Sequence, residues 1–171
     1  MVTMSDYEWA DLIDDNDKVR LLIDPTSTYG KAAAAAMGRA MDDEIIAAAL
    51  GTAQTGKDGA TSTALPAGQK IAHGSAGLTV AKLLSAKETL DAASVDPSIA
   101  RTIVVSPKQV SDLLNTTEIK SSDFNTVKAL AQGEINSFMG FNFITSNRLT
   151  TDTNGNRQVI CFASDGVKVA M

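Results

Sequence analysis

Apolar side chains recur at helical intervals between Thr26 and Leu50, and this spacing predicts a long helix. The stretch holds an alanine run at residues 32–36 and stops in front of Gly51, where a left-handed helix cap is expected. About 25 residues at ~1.5 Å each predict a rod about 37 Å long, which is the width of a small domain. The core of a chain of 171 residues is too small to cover such a rod on all sides. The pattern therefore fits a strut for other elements or chains as well as it fits an ordinary core helix.

A shorter amphipathic helix is predicted at the N-terminus. Ser5 and Glu8 have the spacing of a capping box, in which each side chain accepts a hydrogen bond from a backbone amide of the other residue. Trp9, Leu12 and Ile13 then form one apolar stripe. The next short apolar run, at residues 19–23, is ambiguous between helix and strand.

Residues 51–77 have little periodicity and are rich in Gly, Thr, Ala and Ser. This composition predicts one long exposed loop, with a short helical turn near residues 67–72. A loop of this length inside a compact domain is uncommon and is usually functional or mobile.

Helix and strand signals alternate from Thr79 onwards. Thr79 is a predicted N-cap for an amphipathic helix over residues 80–90, and the β-branched residues 102–105 predict a buried strand. Ser106 and Pro107 predict the start of another short helix, because proline fits the first helical position.

The last third of the chain predicts mainly strands. Tight turns are predicted at Asn154-Gly155 and at Asp165-Gly166. The last strand runs to the final residue, so we expect the chain to be part of a longer protein. A polar loop, a helix and four strands are predicted, in this order, at residues 116–122, 125–131, 135–139, 141–145, 159–163 and 167–171.

The composition narrows the class of protein. The chain has 171 residues, a formal net charge of −5 and 44% hydrophobic residues, so we expect one domain, or one and a fraction, with a buried core. Cys161 is the single cysteine, which excludes an internal disulfide, and with His73 it falls short of a zinc site. The acidic balance argues against tight, sequence-blind binding to nucleic acid. No segment predicts a membrane span or a signal peptide, so we expect a soluble protein made in a reducing compartment.

Residues 51–57, Gly-Thr-Ala-Gln-Thr-Gly-Lys, match most of the phosphate-binding loop G-x-x-x-x-G-K-[ST]. Asp58 stands where the motif needs a hydroxyl group for magnesium, and its carboxylate would repel the phosphates. The segment also follows a predicted helix, whereas the motif leaves a strand and opens a helix. A plain Gly- and Thr-rich loop is therefore the preferred interpretation, and a nucleotide hydrolase is the alternative.

Other groups with possible chemistry favour structural interpretations. Residues 152–156 begin like a calcium loop, but the closing glutamate is missing, so a hairpin turn accounts for them. The acidic clusters at residues 14–17 and 42–44 have no basic or histidine partner nearby and are interpreted as solvated faces. Met37 and Met41 are interpreted as core, and Cys161 as a small buried hydrophobe. The sequence thus predicts no catalytic residue, no cofactor site and no metal site.

Five segments of the chain occur in an order that is typical of one family. Residues 24–51, from Asp-Pro to Leu-Gly with acidic residues near their end, look like a long spine helix, and Arg-Thr-Ile-Val-Val-Ser-Pro-Lys-Gln at residues 101–109 is similar to a strand, proline turn and helix. The other three are residues 2–9, 130–149 and 157–167. Together they resemble the major capsid proteins of tailed bacteriophages, which have the Hong Kong ninety-seven-like fold.

The resemblance implies an α+β fold, in which axial-domain helices pack on a mixed or antiparallel sheet beside the long spine helix. It also implies that the chain is one part of this fold, without the family's N-terminal arm, E-loop and C-terminal strands. The implied divisions are a post-E-loop segment with the spine helix, a Gly/Thr-rich loop, an axial domain, and strands that return to the peripheral domain, at residues 1–51, 52–77, 78–150 and 151–171.

The resemblance also implies a structural, non-enzymatic role in the virion. The implied protein self-assembles into the hexamers and pentamers of an icosahedral shell, meets scaffolding and portal proteins, needs no cofactor or membrane, and encloses double-stranded DNA without sequence-specific binding. Assembly is expected in the host cytoplasm, and an encapsulin-like cargo shell is an alternative. Residues 51–77 are one candidate for subunit contact. The implied tip of the axial domain offers a second set, namely Thr116, Thr117, Glu118, Lys120, Ser122 and Asp123.

Overall fold

A computed structural model of the chain describes residues 6–10, 25–116 and 137–167, which form an α+β fold. The predicted long helix is present as α1, and it begins within one residue of the expected position. In chain order the elements are α1 (Pro25–Leu50), β1 (Thr52–Thr55), β2 (Thr61–Ala64), a 3-10 turn (Ala67–Gln69), α2 (Val80–Ala92), β3 (Arg101–Val105), α3 (Pro107–Leu114), β4 (Ser137–Phe138), β5 (Phe141–Thr145) and β6 (Ile160–Ala163). None of these helices is long and apolar enough to cross a lipid bilayer.

The main sheet has four described strands in the order β4-β5-β3-β6. Strand β3 runs parallel to β5 and antiparallel to β6, and β4 is antiparallel to β5. Ile103 lies opposite Phe143 on one side and Cys161 on the other. Because side chains alternate along a strand, these residues point to one face of the sheet, and their neighbours point to the opposite face.

Two apolar clusters cover the two faces of this sheet. On the first face, Leu83 of α2 and Leu113 of α3 pack against Ile103, Val105 and Phe141, and none of the five is more than 1% exposed. The predicted buried strand at residues 102–105 is therefore the centre of the core.

The second cluster joins the sheet to the long helix. Ile46 near the end of α1 packs with Leu149 and Ile160, and the partly buried Val104 and Phe162 lie beside them. Burial of apolar surface is the main favourable term in folding. The end of α1 is thus anchored to the sheet.

The helix starts that the sequence predicted are confirmed by their caps. The Thr79 hydroxyl accepts a hydrogen bond from the amide of Lys82 at 3.4 Å, in the first turn of α2. Pro107 opens α3, and the Gln109 side chain accepts from the amide of Ser106 at 2.8 Å. Local caps of this kind satisfy amides that have no partner within the helix.

The prediction of a loop at residues 51–77 is wrong for residues 52–64, although almost all of the segment is exposed as expected. Strands β1 and β2 form an antiparallel hairpin within it, and a 3-10 turn follows where a short helical turn was expected. Alternating apolar residues are the usual sign of a strand in a sequence, and this hairpin has no such alternation because its side chains are threonine, serine, alanine and glutamine.

Four smaller predictions also need correction or limits. Residues 6–10 have no regular secondary structure, so the N-terminal helix is wrong there, and its other residues lie outside the described ranges. Gly51 does not have a positive φ; a side chain is excluded there because a Cβ would lie 2.8 Å from the carbonyl oxygen of Ala47. In the turn at Asn154-Gly155 only the glycine has a positive φ, at +81°. The predicted elements at 117–136 and 168–171 lie outside the described residues.

Candidate functional site

We call residues 51–77, which follow α1, the arm. The first part of the arm is an exposed hairpin of β1 and β2. Strands β1 and β2 pair from Thr52 opposite Ala64 to Thr55 opposite Thr61, and every residue of both strands is exposed. Polar side chains pair across the strands, because Gln54 and Ser62 exchange hydrogen bonds at 3.0 and 3.1 Å. An isolated two-stranded hairpin is only marginally stable in water. The arm therefore has two exposed faces that are largely polar.

Residues 51–57, which match most of a phosphate-binding loop, lie in the first part of this arm. Gly51 follows α1, residues 52–55 form β1, and Gly56 enters the hairpin turn with a φ of +90°. A phosphate loop needs backbone amides that converge between a strand and the first turn of a helix. Here a helix precedes the segment and a strand follows it, so the required order is reversed. Lys57 lies exposed in the turn.

The long helix is exposed over most of its length. With 26 residues, α1 is about 39 Å long. Among its residues 28–50, Ile46 alone is buried, and Tyr29 and Met41 are 43% and 44% exposed. The interpretation of Met41 as core is therefore wrong, whereas Met37 is partly buried. These exposures favour the strut over the ordinary core helix.

The acidic cluster near the end of α1 makes contacts that the sequence did not predict. Asp43 forms a two-point ion pair with the guanidinium of Arg148, in the segment after β5. The next residue, Glu44, accepts a hydrogen bond from the Tyr7 hydroxyl. The acidic cluster was predicted to be solvated, with no basic partner nearby. This prediction is wrong for Asp43, which pairs with Arg148. The pair was missed because the two residues are 105 positions apart in the sequence.

Of the candidate contacts after α3, the structure describes Thr116. Thr116 lies two residues beyond the end of α3, is partly buried, and its hydroxyl donates to the carbonyl oxygen of Leu113. Thr117, Glu118, Lys120, Ser122 and Asp123 lie outside the described residues. The structure thus shows that the segment starts at the end of a packed helix.

Asp152 belongs to a turn. Its Oδ1 accepts from the amides of Asn154 at 2.9 Å and Asn156 at 2.8 Å, and its Oδ2 accepts from the Asn156 side chain at 3.0 Å. The hydrogen bonds from Asn156 lower the pKa of Asp152. These carboxylate oxygens stabilise the turn that the sequence predicted. Across residues 6–10, 25–116 and 137–167, no three His, Cys, Asp or Glu side chains are grouped to hold a metal ion.

Arg101 is a structural residue that the sequence analysis missed. It starts β3, is 6% exposed, and its Nη2 lies 2.6 Å from Asp91 Oδ1 and 3.3 Å from the Val95 carbonyl oxygen. It therefore ties the end of α2 to the central strand. The sequence signal that could have revealed this contact is the charged Arg101 at the start of the apolar strand β3, because a buried charge needs a partner. The shallow cleft beside it carries two cations and two carboxylates, and its lining residues are Lys87, Asp91, Ser94, Val95, Asp96, Pro97, Arg101, Met139 and Gly140.

Comparisons with known proteins agree with the fold. A family model described as phage capsid protein matches residues 1–171. A solved structure from Mycobacterium phage Che8 is similar with a TM-score of 0.55 and 22% identity, over 89% of this chain and 51% of that chain. The capsid structure of the cyanophage P-SCSP1u is similar with a TM-score of 0.55 and 20% identity, over 84% of this chain and 48% of that chain. This chain thus spans about half the length of each, and the similarity shows a shared fold. No curated protein matches by sequence.

Proposed function

Because the chain belongs to the phage capsid protein family, we propose that it is a structural subunit of an icosahedral bacteriophage capsid that acts by self-assembly into hexamers and pentamers. The observation that carries the proposal is the family match over the whole chain, residues 1–171. The similarity of the fold to two solved phage structures also supports the proposal.

The exposed surfaces support a role in contact rather than in chemistry. The rod α1 is anchored at one end by Ile46 and leaves Tyr29 and Met41 exposed, and the arm exposes both faces of its hairpin. A shell subunit needs long surfaces of this kind, because each subunit meets several copies of itself around symmetry axes. The proposed subunit catalyses no reaction and needs no cofactor.

The proposal includes a division of labour along the chain. Residues 1–51 supply the spine helix of the peripheral domain, residues 52–77 a contact segment with the β1–β2 hairpin, residues 78–150 the axial domain, and residues 151–171 strands that return to the peripheral domain. Contacts around the capsomer axis are assigned to Thr116, Thr117, Glu118, Lys120, Ser122 and Asp123. The sheet core around Ile103 supports this scheme, since it packs α2 and α3 together on one face.

Partners and location follow from the same proposal. The shell encloses double-stranded DNA without sequence-specific binding, and a net charge of −5 supports this because tight binding of phosphates needs clustered lysine and arginine. Scaffolding and portal proteins are the proposed partners, and the subunit is located in the virion after assembly in the host cytoplasm.

Electron microscopy of the full-length protein tests the proposal. Expression should produce closed shells of uniform diameter. Shells from infected cells should hold nuclease-protected double-stranded DNA, whereas a protein cargo would favour the encapsulin-like alternative. A full-length protein that stays monomeric, alone and with its scaffolding partners, would contradict a shell role.

A pair of variants tests the assigned contacts separately. Lys120→Glu reverses a charge in the proposed contact segment, and Asn154→Glu adds one negative charge in an exposed turn outside it. We expect Lys120→Glu to prevent shell closure and Asn154→Glu to allow it. If both variants close, the contact assignment fails and the shell role stands.

The nucleotide alternative has its own test. We expect no saturable binding when ATP and magnesium are titrated into the protein, because the motif residues lie in a hairpin. Saturable binding that is lost in Lys57→Ala would revive the enzyme hypothesis.

A further inference from the structure

The ammonium group of Lys82 lies among three backbone carbonyl oxygens at the end of the arm. Its Nζ is 2.7 Å from the oxygen of His73, 2.6 Å from that of Ala76 and 2.7 Å from that of Gly77. An ammonium group has three hydrogen atoms to donate, so its hydrogen-bonding capacity is fully used. We call this set of contacts the carbonyl cradle.

Helix α2 itself gives no reason for a lysine at this position. Lys82 is the third residue of α2, and a positive charge near a helix N-terminus is unfavourable because the helix dipole has its positive end there. Partial burial also lowers the pKa of Lys82, because desolvation disfavours the charged form. The carbonyl cradle offsets both costs, so the position of Lys82 is explained by the arm.

The backbone of the arm is shaped to form the cradle. Gly74 and Ser75 both have positive φ values, +58° and +54°. Two successive residues of this kind turn the chain sharply, so that the carbonyls of His73, Ala76 and Gly77 reach one point. A left-handed conformation at a serine is strained and persists where surrounding contacts hold it.

The rest of the arm is weakly attached. No residue from Gly51 to Gly77 is buried, and Leu65 and Ile71 are 37% and 45% exposed. The 3-10 turn lies against α2. Leu78, directly after the cradle, is buried in the core. Segments with few buried apolar contacts open at low free-energy cost.

We propose that Lys82 is a latch that holds the arm docked against α2, and that its release lets residues 51–77 swing out between α1 and Leu78. Water can replace Lys82 at the exposed carbonyls, which makes the latch reversible. The movement occurs within one chain, so it goes beyond the proposed shell role and holds whether or not the arm contacts another subunit.

Hydrogen exchange of the unassembled full-length chain, measured by mass spectrometry, tests the latch. Lys82→Met keeps the aliphatic stem and removes the ammonium group. We expect peptides spanning the cradle and the 3-10 turn to exchange about tenfold faster or more, with β3 unchanged, because charged hydrogen bonds are lost only at the arm. Lys87→Met, which changes an exposed lysine of the same helix, should stay within about twofold of the wild type.

Two results would overturn the latch. One is an unchanged exchange rate in the arm of Lys82→Met. The other is an equal acceleration in the arm, β3 and α3, which would make Lys82 an ordinary contributor to global stability. If Lys82→Met does not fold, Lys82→Arg decides by the same criteria, since a planar guanidinium keeps the charge but cannot meet three carbonyls that converge on one point.

Discussion

Arg148 and Asp43 form an ion pair that joins the segment after β5 to the last turns of α1. Both contacts are made, from Nε to Oδ1 and from Nη2 to Oδ2, so the guanidinium fork meets the carboxylate in two places. The pair lies beside the cluster of Ile46 and Leu149. It therefore adds a polar contact close to the place where apolar packing joins the long helix to the sheet.

Asp43→Asn should lower the melting temperature slightly and make it less sensitive to salt, because both partners are 39% or more exposed and solvent screens the pair. Arg148 lowers the pKa of Asp43 below its usual 3.8. The pair thus stabilises the fold above pH 3.8, and this stability is lost as the pH falls through the folded-state pKa. Thermal melts from neutral to acid pH check this, with Asp42→Asn as the control. If the difference in melting temperature between Asp43→Asn and the wild type grows as the pH falls, the predicted pH dependence is wrong.

Gly77→Ala should destabilise the protein by about 1–3 kcal/mol, as overpacking does. A Cβ at this position would lie 2.5 Å from Asp112 Oδ2 and 2.9 Å from Asp112 Cβ, so α3 or the end of the arm must shift. Gly68→Ala is the control, because its Cβ would meet nothing within 4 Å. Urea unfolding of both variants checks the difference, and equal stabilities would show that the contact relaxes freely.

Leu83→Ala should cost about 2–5 kcal/mol, whereas Leu84→Ala should change stability by less than about 0.5 kcal/mol. The two leucines are neighbours in α2, but Leu83 is 1% exposed and Leu84 is 52% exposed. Chemical denaturation of the unassembled chain measures both values. A large loss for Leu84→Ala would contradict the orientation of α2.

Cys161 should react slowly with thiol reagents, because burial raises its pKa from 9.0 to about 11, against a smaller opposing effect of Arg101. The folded chain keeps its thiol proton where the unfolded chain has lost it. Stability from this group is therefore complete below pH 9.0 and is lost as the pH rises to about 11. Reaction rates against pH, in buffer and in urea, check the shift. A native rate equal to the rate in urea would contradict the burial.

Local signals predicted much of the fold. The starts of α2 and α3 follow from Thr79 and from Ser106-Pro107, and the central strand follows from the β-branched run after Arg101. Each of these features depends on residues within a few positions of one another, where backbone sterics and caps decide the conformation. The candidate site was predicted less well, since the arm was expected to be a loop and the contact residues after Thr116 remain a prediction.

The amino-acid order alone predicted the long helix and the buried strand, because these depend on periodicity and local caps, and its motifs resembled the family whose model then matched the chain. The folded molecule decided how those parts meet. Lys82 finds its three carbonyls across a strained turn, Arg101 reaches back to α2, and Asp43 meets Arg148 from 105 residues away. Helical and strand patterns do not show such pairings. The contacts of Lys82 and Arg101 depend on how the chain turns over the few residues before them, and the contact of Asp43 with Arg148 depends on the core that brings distant segments together.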